Sequence, residues 1–323
     1  MKKRIAIVAG GDSSEYEVSL RSAAGLKGFI DPERYETTIV CIHGDSWEAL
    51  PDDGAHYVMD RNDFSYVRDG VRYGFDYAYI TIHGTPGENG LIQGYFDLIG
   101  IPYSSCSALV SALTFNKFTC NQYLKGFGVS VAECILLRHG ERASADDVRE
   151  KIGFPCFVKT TTGGSSFGVT KVKDPALLND AIDVAYKEGD EVMIEAYMRG
   201  TEITCGCYKT RSRSVVFPVT EVVSENEFFD YDAKYNGQVR EITPARISDD
   251  LTRRVQELTS RIYDLLDCHG IVRIDYIITE GDHIKLLEMN TTPGMTATSF
   301  IPQQIAAAGL DIREVMTDVI EGR

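Results

Sequence analysis

Apolar and polar positions along the chain fall into two periods. Residues 4–9, Arg-Ile-Ala-Ile-Val-Ala, form a short apolar run closed by Gly10-Gly11 and read as a buried strand. A helical spacing follows from about Glu17 to Phe29, then apolar runs at 36–42 and 77–82. Strand, glycine turn, helix, strand is the opening of a doubly wound α/β unit. No GxGxxG is present, so the glycine turn is not a dinucleotide fingerprint. His83-Gly84-Thr85-Pro86-Gly87-Glu88-Asn89-Gly90 comes straight after the third run, where ligands bind in such folds. Glu15 and His83 both sit at that end of the sheet. His83 reads equally as a turn histidine or as a ligand contact.

The helical period returns at 91–99 and from about Ser107 to Gly126, and the second helix carries Lys117. Alone, Lys117 reads as a solvated helix residue. Serines 104, 105, 107 and 111 suggest a small-polar linker, which places a boundary near 103–106. Farther on, an apolar strand ends in Lys159, and Thr160 to Gly168 is rich in Thr, Gly and Ser before a second strand. This is a glycine hairpin and not a Walker loop, because no GxxxxGK[ST] occurs and no helix follows. Consecutive N–H groups in such a hairpin can cup an anion, with Lys159 at its base; an ordinary flexible loop is the other reading. Glu195 lies inside the apolar strand 191–196 and should have a partner, since an unpaired buried carboxylate costs several kcal/mol. Strands at 201–208 and 214–223 precede the polar and aromatic segment 224–240, which reads as a long loop and a candidate lid. A helix over 248–268 and terminal helices at 302–308 and 312–320 complete the pattern.

Between them lies the stretch 271–294, IVRIDYIITEGDHIKLLEMNTTPG. It reads as a hairpin with Gly281-Asp282 as a two-residue loop. Glu280 would then pair with His283, Asp275 with Glu288 and Arg273 with Asn290. Opposed residues share a face, as do i and i+2, so these four polar groups converge. Val272, Ile274, Tyr276, Leu287 and Met289 would face the core. Two opposed carboxylates need a cation or a proton between them. Oxygen donors without His or Cys favour Mg²⁺ over zinc. A solvated Arg–carboxylate cluster fits the same spacing. A loop one residue longer would set Asp275 against Met289 and break the cluster.

Bulk properties narrow the field. At 323 residues, two or three domains are expected. A formal net charge of −15 and a pI near 4.9 argue against a nucleic-acid or anionic-membrane binder. No apolar run approaches the ~20 residues of a membrane span. Lys2-Lys3-Arg4 is followed by too short an apolar stretch for a signal peptide, so a cytoplasmic protein is expected. The 8 cysteines form no CxxC and read as reduced, mostly buried thiols.

Seven motifs then line up in order: GGDSSEYEVSL (10–20), HGTPGENG (83–90), LTFNK (113–117), VKTTTGGSSFG (158–168), YDAKY (231–235), RID (273–275) and EMNTTPGMTATSF (288–300). Together they resemble the D-alanine–D-alanine ligase family of the ATP-grasp superfamily, over about residues 4–310. The resemblance implies an ATP-grasp fold of three domains. An α/β substrate domain (1–104) has a doubly wound parallel sheet. A central α+β domain (105–196) carries the glycine hairpin 159–168, and a carboxy-terminal α+β domain (197–323) carries the lid 224–240. The last two sandwich ATP. It implies ligation of two D-alanine molecules through an acylphosphate, for peptidoglycan precursor synthesis, by an enzyme that is commonly a homodimer.

The resemblance also implies roles. Asp275, Glu288 and Asn290 match ligands of two Mg²⁺ (or Mn²⁺) ions. Arg273 and the Gly294 N–H match the oxyanion donors. Lys117, Lys159 and Lys234 match phosphate lysines, and Gly164, Ser165 and Ser166 the hairpin over the phosphates. Glu195, Ala196, Met198 and Phe228 match residues around the base, and Glu202 the ribose contact. Glu15, with Ser165 and Tyr235, matches the triad at the first substrate's ammonium, and His83 a group near its carboxylate. Ser299 and Phe300 fall at the second-substrate subsite. Tyr235 favours an amine acceptor over D-lactate. Thr160 stands where many members have proline. Phe300 stands where leucine is common, so its bulk is expected to favour D-alanine over D-serine.

Overall fold

A computed structural model describes residues 2–164, 168–224 and 239–322 of the chain. Its strands form three sheets. The first sheet is built on β1 (Lys3–Gly10), β2 (Tyr35–His43), β3 (Ser46–Leu50), β4 (Tyr57–Asp60), β5 (Ser65–Arg68), β6 (Val71–Tyr73) and β7 (Tyr77–Ile80), in the order β6-β5-β4-β3-β2-β1-β7. β1 is parallel to both neighbours, β2 and β7. Such a strand is covered on both faces, and Ile5 to Ala9 are all fully buried. Helix α1 (Tyr16–Phe29) packs on one face. Helix α2 (Leu91–Ile99) packs on the other through Ile92 and Phe96.

β3 to β6 are a correction to the sequence reading, which passed from 42 to 77 without a strand. They are antiparallel additions to the sheet edge. A signal was present: Asp69-Gly70 between β5 and β6 has φ 51° and 75°, the left-handed pair that a tight hairpin demands.

The expected helix 107–126 is two helices, α3 (Ala108–Phe115) and α4 (Lys117–Lys125), broken at Asn116. Asn116 caps α4 by accepting the Thr119 N–H at 2.9 Å, and a mid-helix Asn readily makes this local bond instead of continuing the helix. The serines before α3 are not a solvated linker. Ser104, Ser105 and Ser111 are buried, and Ser104 Oγ accepts the Ile80 N–H at 3.0 Å.

The second sheet, order β10-β9-β11-β8, contains β8 (Cys134–Arg138), β9 (Cys156–Thr160), β10 (Thr170–Val172) and β11 (Glu191–Ala196). Helices α5 (Ala145–Lys151) and α6 (Leu178–Tyr186) cover its apolar face. The third sheet holds β12 (Gly200–Lys209), β13 (Ser214–Val216), β14 (Thr220–Ser224), β15 (Val239–Ile242), β16 (Val272–Thr279) and β17 (His283–Asn290). Its apolar face packs against α3, α4 and α7 (Asp249–Leu265). Helix α8 (Phe300–Ala307) joins it to the first sheet, since Ile301 and Ile305 share a core with Ile5 and Ile7. Helix α9 (Ile312–Glu321) extends that core. Six of the eight cysteines are buried and none is bonded, and burial pushes the Cys205 and Cys207 thiols up to about 12.

The hairpin β16–β17 corrects a second expectation. Its loop is Glu280 to Asp282, and Thr279, not Glu280, pairs with His283. Gly281 and Asp282 take φ 76° and 59°. A three-residue loop alone would set Asp275 against Leu287. The register shifts between Asp275 and Tyr276, and this bulge returns Asp275 to Glu288 and Arg273 to Asn290. Leu286 therefore fills the core, fully buried, where Leu287 was expected.

Candidate active site

Two sheet faces supply the charged groups. On the second sheet, Met193 pairs with Lys159, so Glu195, two residues on, shares the face of Lys159. Lys159 Nζ donates to Glu195 Oε2 at 2.7 Å, and both residues are buried. This pair answers the need for a partner at Glu195. Burial works against the Lys159 charge, but the Glu195 carboxylate outweighs it and raises the ammonium pKa. The other oxygen, Oε1, is buried without a hydrogen-bond partner. Ala196 closes the strand with its N–H donated to Glu133 O at 2.9 Å, and Met198 and Glu202 follow half-buried.

On the third sheet, Arg273 grips Asp275 in a fork, Nε to Oδ1 at 2.9 Å and Nη2 to Oδ2 at 2.7 Å. Thr204 Oγ1 adds a third donor, 2.5 Å from Oδ1. The adjacent carboxylates, Asp275 above all, raise the Arg273 pKa against the opposing effect of burial, so its charge is secure. The face of Arg273 carries the Phe300 ring, with the guanidinium carbon 5.2 Å from the ring centre. Asn290 Oδ1 accepts the Thr292 N–H at 3.0 Å, which orients its amide.

Helix α4 brings Lys117 between the two sheets. Its Nζ donates to Gly163 O at 2.6 Å and lies 3.9 Å from Glu288 Oε2. Burial lowers its pKa, and Glu288 partly offsets this. Lys117 is thus no solvated helix residue. The amino-terminal loop arrives from the opposite side. A Cβ on Gly164 would lie 2.7 Å from Glu15 Oε2, so the hairpin and this carboxylate are in close approach. Glu15, His83, Lys117, Gly164, Arg273 and Glu288 line one cavity, also bordered by Asn290. A second cavity of about 290 Å³ is lined by Arg273, Gly294, Ser299 and Phe300, and shares Glu15, His83 and Arg273 with the first. A Cβ on Gly294 would stand 3.0 Å from Ser299 Oγ. Ser165, Ser166, Phe228, Lys234 and Tyr235 lie outside the described residues.

The sequence reading missed Glu88 as a site residue. It lines the first cavity and accepts the Gly84 N–H at 2.7 Å. Burial, with Glu15 adding repulsion, pushes its carboxyl up to about 7. Its signal was a carboxylate at the end of a glycine loop that follows a parallel strand. A larger open groove of about 630 Å³ runs along α7. Its Arg253 pairs with Asp250 and Glu257 of the same helix, so it offers no convergent chemistry.

Fold and site together define an ATP-grasp protein. Residues 4–106 match the family model described as D-ala D-ala ligase N-terminus, and residues 123–321 match D-ala D-ala ligase C-terminus. The chain belongs to the D-alanine–D-alanine ligase family. It is 66% identical over 323 residues, 100% of each chain, to the D-alanine–D-alanine ligase of Phocaeicola vulgatus. Among solved structures, the VanG D-Ala:D-Ser ligase of Enterococcus faecalis is 29% identical with a TM-score of 0.89, over 99% of each chain. The D-alanine–D-alanine ligase of Bacillus anthracis complexed with ATP is 26% identical with a TM-score of 0.78, over 99% of this chain and 97% of that one. No helix among the described residues is long and apolar enough to cross a membrane.

Proposed function

We propose that the chain joins two molecules of D-alanine into D-alanyl-D-alanine, coupled to conversion of ATP to ADP and phosphate, in the cytoplasm and as a homodimer. The observation that carries this reading is the convergence of Lys117, Arg273 and Glu288 on one cavity that Glu15 reaches from the first sheet. The three sheets support a division at 1–104, 105–196 and 197–323, with α3 and α4 sharing the core of the third sheet.

The residues fit the nucleotide. Glu195 Oε1, buried and unpartnered, offers an acceptor for an adenine amino group, and a ligand donor there would remove a desolvation cost. Met198 and the Ala196 carbonyl would follow the base edge, and Glu202 would take the ribose. Lys117 and Lys159 would neutralise phosphate oxygens. The remaining contacts implied for Ser165, Ser166, Phe228, Lys234 and Tyr235 belong to the same proposal. The donor set also fits Mg²⁺ or Mn²⁺. Asp275, Glu288 and Asn290 supply hard oxygens, and the grip of Arg273 fixes the orientation of Asp275. Bound there, the metal would balance phosphate charge during phosphoryl transfer.

Glu15 would hold the first substrate's ammonium, while His83 and Arg273 face its carboxylate. Phosphorylation turns that carboxylate into an acylphosphate, which the amine of the second D-alanine attacks. Arg273 and the Gly294 N–H would receive the oxyanion that forms. Ser299 would bind the second carboxylate. Phe300, fixed against Arg273, would narrow the acceptor pocket in favour of D-alanine over D-serine. A solved structure of the same fold is named a D-Ala:D-Ser ligase, which supports placing the choice of acceptor in side chains such as Phe300. The test is phosphate release and dipeptide formation from ATP, Mg²⁺ and D-alanine, run against D-serine and D-lactate. Dipeptide with D-alanine preferred is expected. Nucleotide binding without D-alanine-dependent phosphate release would overturn the assignment.

A further inference from the structure

The acceptor cavity contains a carboxylate to which the family resemblance gives no role, Glu241. Register carries it to the catalytic face. Glu241 pairs with Val222, Val222 with Glu202, and Glu202 with Ile277. Ile277 lies two residues from Asp275, so Glu241 projects on the same side as Asp275 and Arg273. Its position is fixed from α8. Gln303 Nε2 donates to Glu241 Oε2 at 2.5 Å and to Thr298 O at 2.7 Å, tying the carboxylate to the segment that carries Ser299 and Phe300.

Gln303 fills only part of the carboxylate's acceptor capacity. Among the described residues Glu241 forms no ion pair, and its remaining acceptor positions border the cavity. The same cavity presents the guanidinium of Arg273 and the hydroxyl of Ser299. Both signs of charge therefore face one space, which suits a zwitterion better than a simple anion.

We propose that Glu241 receives the ammonium group of the incoming second amino acid and selects it over a hydroxy acid of the same size. This rests on the ligase reading above and adds a specificity residue to it. A hydroxy acid brings a carboxylate for Ser299 but no cation for Glu241, which would stay uncompensated on substrate binding. Sites built to receive an N–H reject the analogue that lacks it for this reason.

The test is Glu241→Gln, which keeps shape and the Gln303 contact but removes the charge. The KM for the second D-alanine should rise about tenfold or more, the size of one charge-assisted hydrogen bond. The KM values for ATP and for the first D-alanine should stay within about twofold. Product ratio with D-lactate and D-alanine in competition should shift toward D-lactate by the same factor, and Glu241→Asp should restore most of the preference. Gln303→Leu, which releases the carboxylate without removing it, should move the same constant less and covers the case of a Glu241→Gln that does not fold. An unchanged acceptor KM and product ratio, or a parallel rise in all three constants, overturns the proposal. A wild-type chain that makes no dipeptide overturns instead the reading on which it rests.

Discussion

The site has two charged walls, one on the second sheet and one on the third, and they treat their carboxylates differently. On the second sheet, Glu195 has one oxygen on Lys159 and the other buried with no partner. On the third sheet, Asp275 has both oxygens on Arg273 and one also on Thr204. Both pairs link residues on one sheet face, and both are largely buried. One is incomplete and the other saturated. A buried acceptor without a donor costs about 1–3 kcal/mol until something fills it. The first wall thus stores a preference for a ligand donor. The second stores none of that kind; it holds a carboxylate and a guanidinium in fixed positions, which suits a group whose task is to meet charge without rearranging.

The sharpest break of this comparison is Glu288→Ala. Glu288 stands opposite Asp275 but is far more open, with 40% of its side chain exposed. If the wall on the third sheet is built for chemistry, turnover should fall about a thousandfold or more while the melting temperature moves by no more than about 3 °C. Loss of activity accompanied by unfolding would make the cluster structural and remove the contrast.

A second test sets the walls against each other. Lys159→Met leaves Glu195 buried with neither oxygen partnered, and stability should drop by about 3–5 kcal/mol. Arg273→Met leaves Asp275 its Thr204 hydroxyl, and the drop should be smaller, about 2–3 kcal/mol. Denaturant midpoints of the two variants at one pH check this order. Equal losses, or the reverse order, would mean that the open oxygen of Glu195 carries no cost.

The sequence exposed the second half of this arrangement better than the first. Asp275, Glu288, Arg273 and Asn290 were legible as one face because the period of a strand is fixed and a Gly-Asp turn locates the fold-back. The pairing came out as expected although the loop is one residue longer, because a bulge at Leu287 absorbs the difference. Sequence periodicity cannot reveal a bulge, since Leu286 and Leu287 are equally apolar. The Lys159–Glu195 contact was less legible. Its residues lie 36 positions apart on strands joined through another strand and a helix. Apolar burial implied that Glu195 had a partner but could not say which. The edge strands 46–73 escaped because they are short and only partly buried, and Lys117 was misjudged because local helix chemistry does not report what packs across from it. Glu88 and Glu241 were missed for the same reason: each owes its place to contacts between distant segments.

The smallest expected effect concerns the completeness of the wall on the third sheet. Thr204→Val keeps the side-chain shape and a β-branched residue suited to β12, but removes the hydroxyl 2.5 Å from Asp275 Oδ1. Arg273 still binds both oxygens through two charge-assisted bonds, so no buried oxygen is left without a donor. The cost should therefore be near 1 kcal/mol, the net worth of one hydrogen bond with its acceptor otherwise satisfied. Turnover should fall less than about tenfold, because the carboxylate keeps its fork while gaining some freedom to rotate. Denaturant unfolding and steady-state rates measure the two quantities separately. A loss above about 3 kcal/mol would show that the hydroxyl, not the guanidinium, holds Asp275 in place, and the wall on the third sheet would then be as incompletely paired as the wall on the second.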